Sequence, residues 1–414
     1  MRILHVIDSL ATRYGGPSVA CPALCKELAR QGHRISVYTT NVDGDQFTDV
    51  PLDRPVWDAG VEFRYFQGWT YPPGYKFSMP LWAALKVDVR SFDVAHVYSV
   101  FSFSTWAASH HCRKHGVPYL LHPHGSLDPF LRRRHPVRKW LYTSLVAKRC
   151  FRHASALLFN SSEEMRLASG WPGLPPSAAS SQQAPRNVIV YVGVEDEWFR
   201  PASPASRENF RKKFPELEGR RLLLFYGRLS FKKGLDSLTA AFVQLANQVD
   251  DVHLVLAGPD FEGYGARVRR WLGDAELIDK ATFTGTLVGD DRFAAMQEAA
   301  VFVLPSYTEN FGQSVAEAMA SGVPVVISNR VNIWPEVAGA KAGLVVECDA
   351  RSTAQAIRTL LQNPDLGQEM GARGRHWARR NLTWDSVAEQ MSRVYHAMID
   401  GHALQQGRSP CPQT

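Results

Sequence analysis

Short apolar runs alternate with segments of helical periodicity along nearly the whole chain, and this alternation narrows the fold more than any other feature. Arg2 to Ile7, Arg34 to Thr39, Val61 to Phe66, Val94 to Val97, Leu222 to Tyr226, His253 to Ala257 and Val301 to Leu304 all read as strands. Most are continuously apolar, as expected of parallel strands buried on both faces by helices. The expected fold class is therefore α/β, with doubly wound Rossmann-like sheets. At 414 residues the chain exceeds what one core usually serves, so two such domains are expected, facing each other across a cleft. The expected boundaries are 1–195 and 206–382, with Gly193 to Ser206 as the hinge. An amphipathic helix follows over 383–400, from Trp384 to Ile399, and then a polar tail over 401–414 that is expected to be disordered.

The richest local pattern is Tyr307 to Gly322, Y-T-E-N-F-G-Q-S-V-A-E-A-M-A-S-G. It follows the strand ending at Leu304 and turns helical near Gln313, with Gly322 as a C-terminal stop. Ligands bind at such places in open α/β sheets. Asn310, Phe311 and Gly312 bring backbone N–H groups to a helix start, a natural phosphate site. Glu309 in the loop and Glu317 in the helix cannot bind phosphate, but they can accept hydrogen bonds from sugar hydroxyls. Phosphate beside sugar is the chemistry of a sugar nucleotide. A lone helical glutamate is otherwise most often a solvated surface residue.

Composition removes several classes. No run of about 20 apolar residues exists, so no spanning helix is expected. The six cysteines are scattered without metal-ligand spacing, and Cys21 with Cys25 read as small core residues in a reduced, cytoplasmic compartment. A net charge of +7 points to an anionic partner. Asp43-Gly44-Asp45 spells the D-x-D that holds a diphosphate-bound metal in some transferases, but after a strand Asp-Gly is an ordinary turn; no metal is expected.

Three further stretches carry candidate chemistry. Gly15-Gly16 in the first strand–helix loop allows close backbone approach by a ligand, or simply a tight turn; G-x-G-x-x-G is absent, which argues against a dinucleotide oxidoreductase. Gly227-Arg228-Leu229-Ser230-Phe231-Lys232-Lys233-Gly234 places three cations at a strand–helix junction, suited to phosphate or to solvent. Leu131 to His153 holds eight arginines and lysines and no acidic residue, with apolar Val137, Trp140, Leu141, Leu145 and Val146 near helical spacing. That segment is either a helix at a membrane interface or a basic helix packed on its own domain. The aromatic loop Gln67 to Tyr75 stacks on an acceptor or packs, and Trp171 to Pro185 reads as a flexible loop.

The segment E-N-F-G-Q-S-V-A-E-A-M-A-S-G-V-P-V-V resembles the E-x7-E signature of family 4 of the retaining glycosyltransferases, which have the GT-B fold. Y-G-R-L-S-F-K-K-G, Gly15-Gly16-Pro17 and His124-Gly125 fall in that family's order. The resemblance covers all but about the last dozen residues and is most specific in the C-terminal half. It implies a donor site in which Arg228 and Lys233 bind the diphosphate and Glu317 the ribose. Glu309 with Asn310, Phe311, Gly312, Gln313 and Ser314 would hold the sugar. Leu287 would meet the base, Gly15 and Gly16 would lie under the phosphates, and His124 would contact the sugar. It further implies a final helix that crosses back to the first domain, front-face attack with no protein nucleophile, and no metal or other cofactor. The implied partners are a nucleotide-sugar donor and a polyprenyl-linked or glycan acceptor, with no nucleic acid. The implied place is the cytoplasm, peripheral to an anionic membrane through 131–153. Related possibilities are a sugar-nucleotide epimerase, a phosphorylase, or a non-catalytic subunit of a polysaccharide complex.

Overall fold

The computed structural model describes residues 1–70, 74–132, 136–174, 186–260 and 262–405. The chain divides into two compact units, Met1–Gly193 with Trp384–Thr414, and Val194–Thr383. Each is built on one sheet. The strands of the first are β1 Arg2–Ser9, β2 Arg34–Thr40, β3 Pro55–Asp58, β4 Val61–Phe66, β5 Val94–Tyr98, β6 Tyr119–His122, β7 Ala156–Phe159 and β8 Arg186–Ile189. They lie in the order β8-β7-β6-β5-β1-β2-β4-β3, parallel except for the antiparallel edge strand β3. The second unit carries β9 Arg221–Tyr226, β10 Val252–Ala257, β11 Ala281–Gly285, β12 Ala299–Leu304, β13 Val325–Ser328 and β14 Gly343–Val346. Their order is β11-β10-β9-β12-β13-β14, wholly parallel.

The strand order reverses between β1 and β5 in the first unit and between β9 and β12 in the second. At a reversal, the loops leaving two neighbouring strands diverge to opposite faces and open a crevice at their carboxyl ends. In the first unit, alternate residues of β1 point to opposite cores: Leu4 and Val6 join Leu81, Phe103 and Phe151, whereas Ile3 and Ile7 join Leu24, Leu28 and Val387.

The final helix, Trp384–Gln405, completes that second core. Val387, Ala388, Met391, Tyr395 and Met398 recur at helical spacing and are all buried with Cys25 and Leu28 of the helix Gly16–Arg30. Its ends are tied by Arg30 to Asp385 at 2.8 Å and by His402 Nε2, which donates to the Gly116 carbonyl at 2.8 Å. This helix thus belongs to the unit formed by the N-terminal residues. It also continues through residues expected to be tail: 401–405 are helical, and 406–414 lie outside the described residues.

Other local expectations need correction. Residues 194–205 are not a bare hinge: Trp198 and Phe199 are buried in the second unit, and Arg375 donates to the Phe199 carbonyl. The edge strand β3 was not expected, because Pro55 and its polar neighbours hide a short antiparallel pairing. In the aromatic loop, Trp69–Thr70 pairs with Lys76–Phe77, and 71–73 lie outside the described residues. Trp171, expected in a flexible loop, is buried against Phe101, while 175–185 are not among the described residues.

Candidate active site

In the second unit the loops leaving β9 and β12, the two strands at the reversal, interlock. Gly234 has φ +66°, and a Cβ there would stand 2.0 Å from the Pro305 carbonyl oxygen, so only glycine allows this approach. The Tyr307 N–H donates to the Lys232 carbonyl at 2.9 Å. Phe231 and Tyr307 stack with centroids 5.1 Å apart, and the Tyr307 hydroxyl donates to Asp236 Oδ2 at 2.7 Å. This clasp brings Lys233 of the first loop onto Glu309 of the second as an ion pair, with both side chains mostly buried.

Glu309 is itself fixed by backbone. Its N–H donates to the Arg330 carbonyl at 3.1 Å, and its carbonyl accepts from the Asn332 N–H at 3.0 Å. Phe311 is buried and anchors the turn. Gly312 caps the helix Gln313–Ala320 with φ +89°; a Cβ there would be 2.7 Å from Val331. The helix start therefore opens beside Lys233 and Glu309, with Gln313 and Ser314 in its first turn. Asn310 Oδ1 is buried without a hydrogen-bond partner among the described residues. Arg228 is exposed on the β9 loop, and Leu287 is buried after β11.

Glu317 is not the solvated glutamate that a lone helical position suggests. It is half-buried, and burial pushes its carboxyl up to about 8, with Glu195 adding to the shift and Arg292 opposing it. Arg292 donates to Glu195 at 2.8 Å and lies over the Trp198 and Phe293 rings. A carboxyl so placed gains from hydroxyl donors that would stabilise its ionised form.

In the first unit, Gly15 has φ +84°, and the space beside Gly15 and Gly16 is open where side chains would stand. Asp43 pairs with Arg13 at 2.8 Å in a tight hairpin around Gly44, a turn rather than a pair of free carboxylates. His124 has φ +50° and Gly125 φ +74°, a left-handed pair just beyond β6. The buried Glu164 carboxylate holds this turn by accepting from the N–H groups of Gly125 and Asn160. Burial pushes Glu164 up to about 7, and those two amides pull it back.

A buried hydrogen-bond chain reaches His124 from the final helix. The Tyr395 hydroxyl is 2.7 Å from His96 Nδ1; His96 Nε2 is 3.1 Å from His122 Nδ1; His122 Nε2 is 2.9 Å from Asn160 Oδ1. The Asn160 amide nitrogen stands 3.5 Å from His124 Nδ1. Burial keeps all three imidazoles neutral, His122 with a pKa of about 3 and the others well below the usual range. The tautomers then follow from the network. The Tyr395 hydroxyl satisfies its proton by donating to His96. His96 Nε2–H donates to His122, and His122 Nε2–H to Asn160. The Asn160 amide faces His124 Nδ1, so His124 carries its proton on Nε2. That nitrogen is buried and has no partner among the described residues, which leaves it as a donor.

Glu164, Asn160, His122, His96 and Tyr395 escaped the sequence analysis. Only Glu164 leaves a trace there, at N3 after the helix cap Ser161. The structure also gathers His5, Cys21 and Cys25, all fully buried, with ligand atoms within 4.8 Å of one another. Cysteine spacing missed this because His5 comes from β1. A hollow of about 720 Å³ forms an open trough along the helix Pro204–Lys213.

Residues 206–377 match the family model for glycosyl transferases group 1, and residues 15–179 match that for a glycosyl transferase 4-like domain. The chain is 34% identical over 228 residues to a GDP-mannose-dependent alpha-(1-6)-phosphatidylinositol monomannoside mannosyltransferase of Mycobacterium tuberculosis, covering 52% of this chain and 58% of that one. It therefore spans little more than half the length of that relative. It is 28% identical over 335 residues to alpha-maltose-1-phosphate synthase of Mycolicibacterium smegmatis, covering 75% and 82%. Among solved structures, a sucrose-phosphate synthase of Thermosynechococcus elongatus superposes with a TM-score of 0.75 at 22% identity, covering 96% and 99%. HepE of Anabaena in complex with UDP superposes with 0.74 at 17% identity, covering 96% and 100%.

Proposed function

Because the chain belongs to the group 1 glycosyltransferases, with the GT-B fold and of the family 4 type, we propose that it moves a sugar from a nucleoside diphosphate to an acceptor hydroxyl, with retention at the anomeric carbon, in the assembly of a cell-surface polysaccharide or glycolipid. The observation that carries this reading is the clasp between the loops after β9 and β12, which holds Lys233, Glu309 and a helix start together at a strand-order reversal. Two relatives, a mannosyltransferase acting on a phosphatidylinositol monomannoside and HepE solved with UDP, support a nucleotide-sugar donor.

In this mechanism the acceptor oxygen forms a bond to the anomeric carbon on the face the diphosphate leaves. The C–O bond to the diphosphate breaks with its electron pair, and the acceptor proton passes to the departing phosphate oxygen. No protein nucleophile is required. Arg228 and Lys233 neutralise the leaving charge, with the start of Gln313–Ala320 adding partial positive charge. These groups do the work a divalent ion does in other transferases, so the reaction needs no metal. Glu317 accepts from ribose hydroxyls. Glu309, Asn310 and the turn through Phe311 and Gly312 hold the sugar, and Leu287 packs near the base. Gly15 and Gly16 leave room for phosphates, and His124 offers its Nε2–H to a sugar oxygen.

A polyprenyl-linked acceptor stays in a membrane, so the enzyme works at the cytoplasmic face, held there through 131–153. The test is a thermal-shift panel of UDP-, GDP-, ADP- and dTDP-sugars in EDTA. A cognate donor at a hundred times its Kd adds about 2.7 kcal/mol of stability, followed by transfer with an axial or equatorial product bond matching the donor. No shift with any donor, or inversion of the product, would overturn the reading.

A further inference from the structure

We infer that His5, Cys21 and Cys25 form a structural site for a thiophilic d10 metal ion, zinc(II) or copper(I), buried between β1 and the helix Gly16–Arg30. The site lies apart from the loops that hold the donor, and the transfer reaction proposed above asks nothing of it.

Local geometry brings the three side chains together. Alternate residues of a strand share a face, so His5 stands on the face of Ile3 and Ile7, above the core that holds Leu24, Leu28 and Tyr395. Residues four apart on a helix share a stripe, so Cys21 and Cys25 enter that same core one above the other. All three residues are fully buried, and their ligand atoms lie within 4.8 Å of one another. Sulfur at about 2.3 Å and nitrogen at about 2.0 Å from one ion stand roughly 3.5–4 Å apart, so small side-chain rotations close the set.

The surroundings favour a ligand over a packing role. An imidazole in an apolar core costs free energy unless its nitrogens are satisfied. His5 Nδ1 is 3.0 Å from the Tyr98 hydroxyl. Outside the cluster, Nε2 has no hydrogen-bond partner among the described residues. With Nδ1–H donated to the Tyr98 oxygen, Nε2 keeps its lone pair for a metal. Metal-bound histidines are held in this way, the second nitrogen donating to an oxygen that fixes tautomer and ring. The Tyr98 hydroxyl also reaches the Cys21 sulfur, and Cys21 meets both Cys25 and His5. One phenol thus orients two ligands, accepting from His5 and donating to Cys21. Two thiolates and an imidazole are a soft donor set, suited to zinc(II) and copper(I) and not to oxygen-seeking cations. With zinc(II) the unit is uncharged and needs no counter-ion in an apolar core. With copper(I) the three donors already complete a trigonal site. Either ion ties β1 to the second turn of the helix and so steadies the loop between them, which carries Gly15 and Gly16.

The experiment is elemental analysis of the full chain produced in cells supplied with zinc or with copper. About one ion per chain is expected, and the metal retained tells zinc(II) from copper(I). A chelator does not reach a buried ion, so the metal survives dialysis against EDTA and is released on unfolding. X-ray absorption at the metal edge of the unaltered protein is expected to show two sulfur neighbours and one nitrogen. Cys21→Ala with Cys25→Ala loses the ion, whereas Cys112→Ala, an equally buried cysteine outside the cluster, keeps it. Refolding in chelator lowers the melting temperature of the unaltered protein. Metal-free protein from both preparations, a disulfide between Cys21 and Cys25 in its place, or an ion without sulfur neighbours would overturn the site. The absorption spectrum decides even where the double variant fails to fold. Donor binding is not among these readouts, so the outcome is independent of the function proposed above.

Discussion

The Tyr395 hydroxyl of the final helix stands 2.7 Å from Nδ1 of His96, at the far end of a hydrogen-bond chain that runs through His122 and Asn160 to His124. Tyr395 is a positioning residue, about as far from His124 in sequence as the chain allows. Tyr395→Phe keeps the ring and removes the hydroxyl that ends the chain. Nitrogen-15 NMR of the histidines is expected to show His124 protonated at Nε2 in the unaltered protein. In the variant, His122 and His124 become tautomer mixtures and turnover falls more than donor affinity. An unchanged nitrogen pattern in the variant would mean that Tyr395 only packs.

Lys233 and Arg228 are expected to make charge-assisted contacts to the donor diphosphate. Alanine at either position weakens binding of the free nucleoside diphosphate by about 1.5–3 kcal/mol, read by calorimetric titration. Because Lys233 also neutralises Glu309, Lys233→Ala leaves a mostly buried carboxylate without its cation and lowers thermal stability, and the additional Glu309→Gln change restores it. Unaltered nucleotide affinity in both single variants would remove the diphosphate assignment.

Glu317 gives the free protein a defined pH dependence. In the unfolded chain it ionises near pH 4; in the folded chain it does so only near 8. Between those values the folded state holds the extra proton, so stability falls as pH rises through the window. Glu164, pushed up to about 7, acts in the same direction. Glu317→Gln remains neutral throughout. Its melting temperature is expected to match the unaltered protein near about pH 5 and exceed it near about pH 8. A difference that stays flat with pH would contradict the buried, protonated carboxyl. If ribose hydroxyls bind the ionised form, nucleotide binding also releases a proton, seen as a buffer-dependent heat at pH 7.

Gly234 tests the clasp directly. Alanine there meets both a left-handed φ and the Pro305 carbonyl. The expected loss is about 1–3 kcal/mol or more, in denaturant unfolding, with donor affinity lost alongside. Gly263, also at positive φ but with open space around it, serves as the control: alanine there carries the backbone strain alone. Equal effects at the two positions would show that the close approach of the loops does not matter.

Much of this protein follows from local chemistry. Continuous apolar runs between helix-period segments dictate buried parallel strands, and glycines at strand ends mark where the chain must turn in the left-handed region. Gly234 and Gly312, with the cations and carboxylates around them, were therefore visible as a donor-type site from residues close in sequence. The long-range partners were not. Lys233 meets Glu309 because β9 and β12 are adjacent in the sheet, and no local pattern encodes strand order. The burial of Glu317 was not legible beside its expected role as a hydroxyl acceptor, because Glu195 and Arg292 act on it from segments more than twenty residues away. His124 depends on Glu164, on a histidine from each of two strands and on a tyrosine of the last helix, joined only when that helix packs on the first core. Val137, Trp140, Leu141 and Leu145 belonged to a helical pattern in sequence, but that they face water depended on the inward residues that the core accepted. Periodicity and turn chemistry act within a few residues; burial, and the proton positions it enforces, arise from surfaces that meet only in the folded chain.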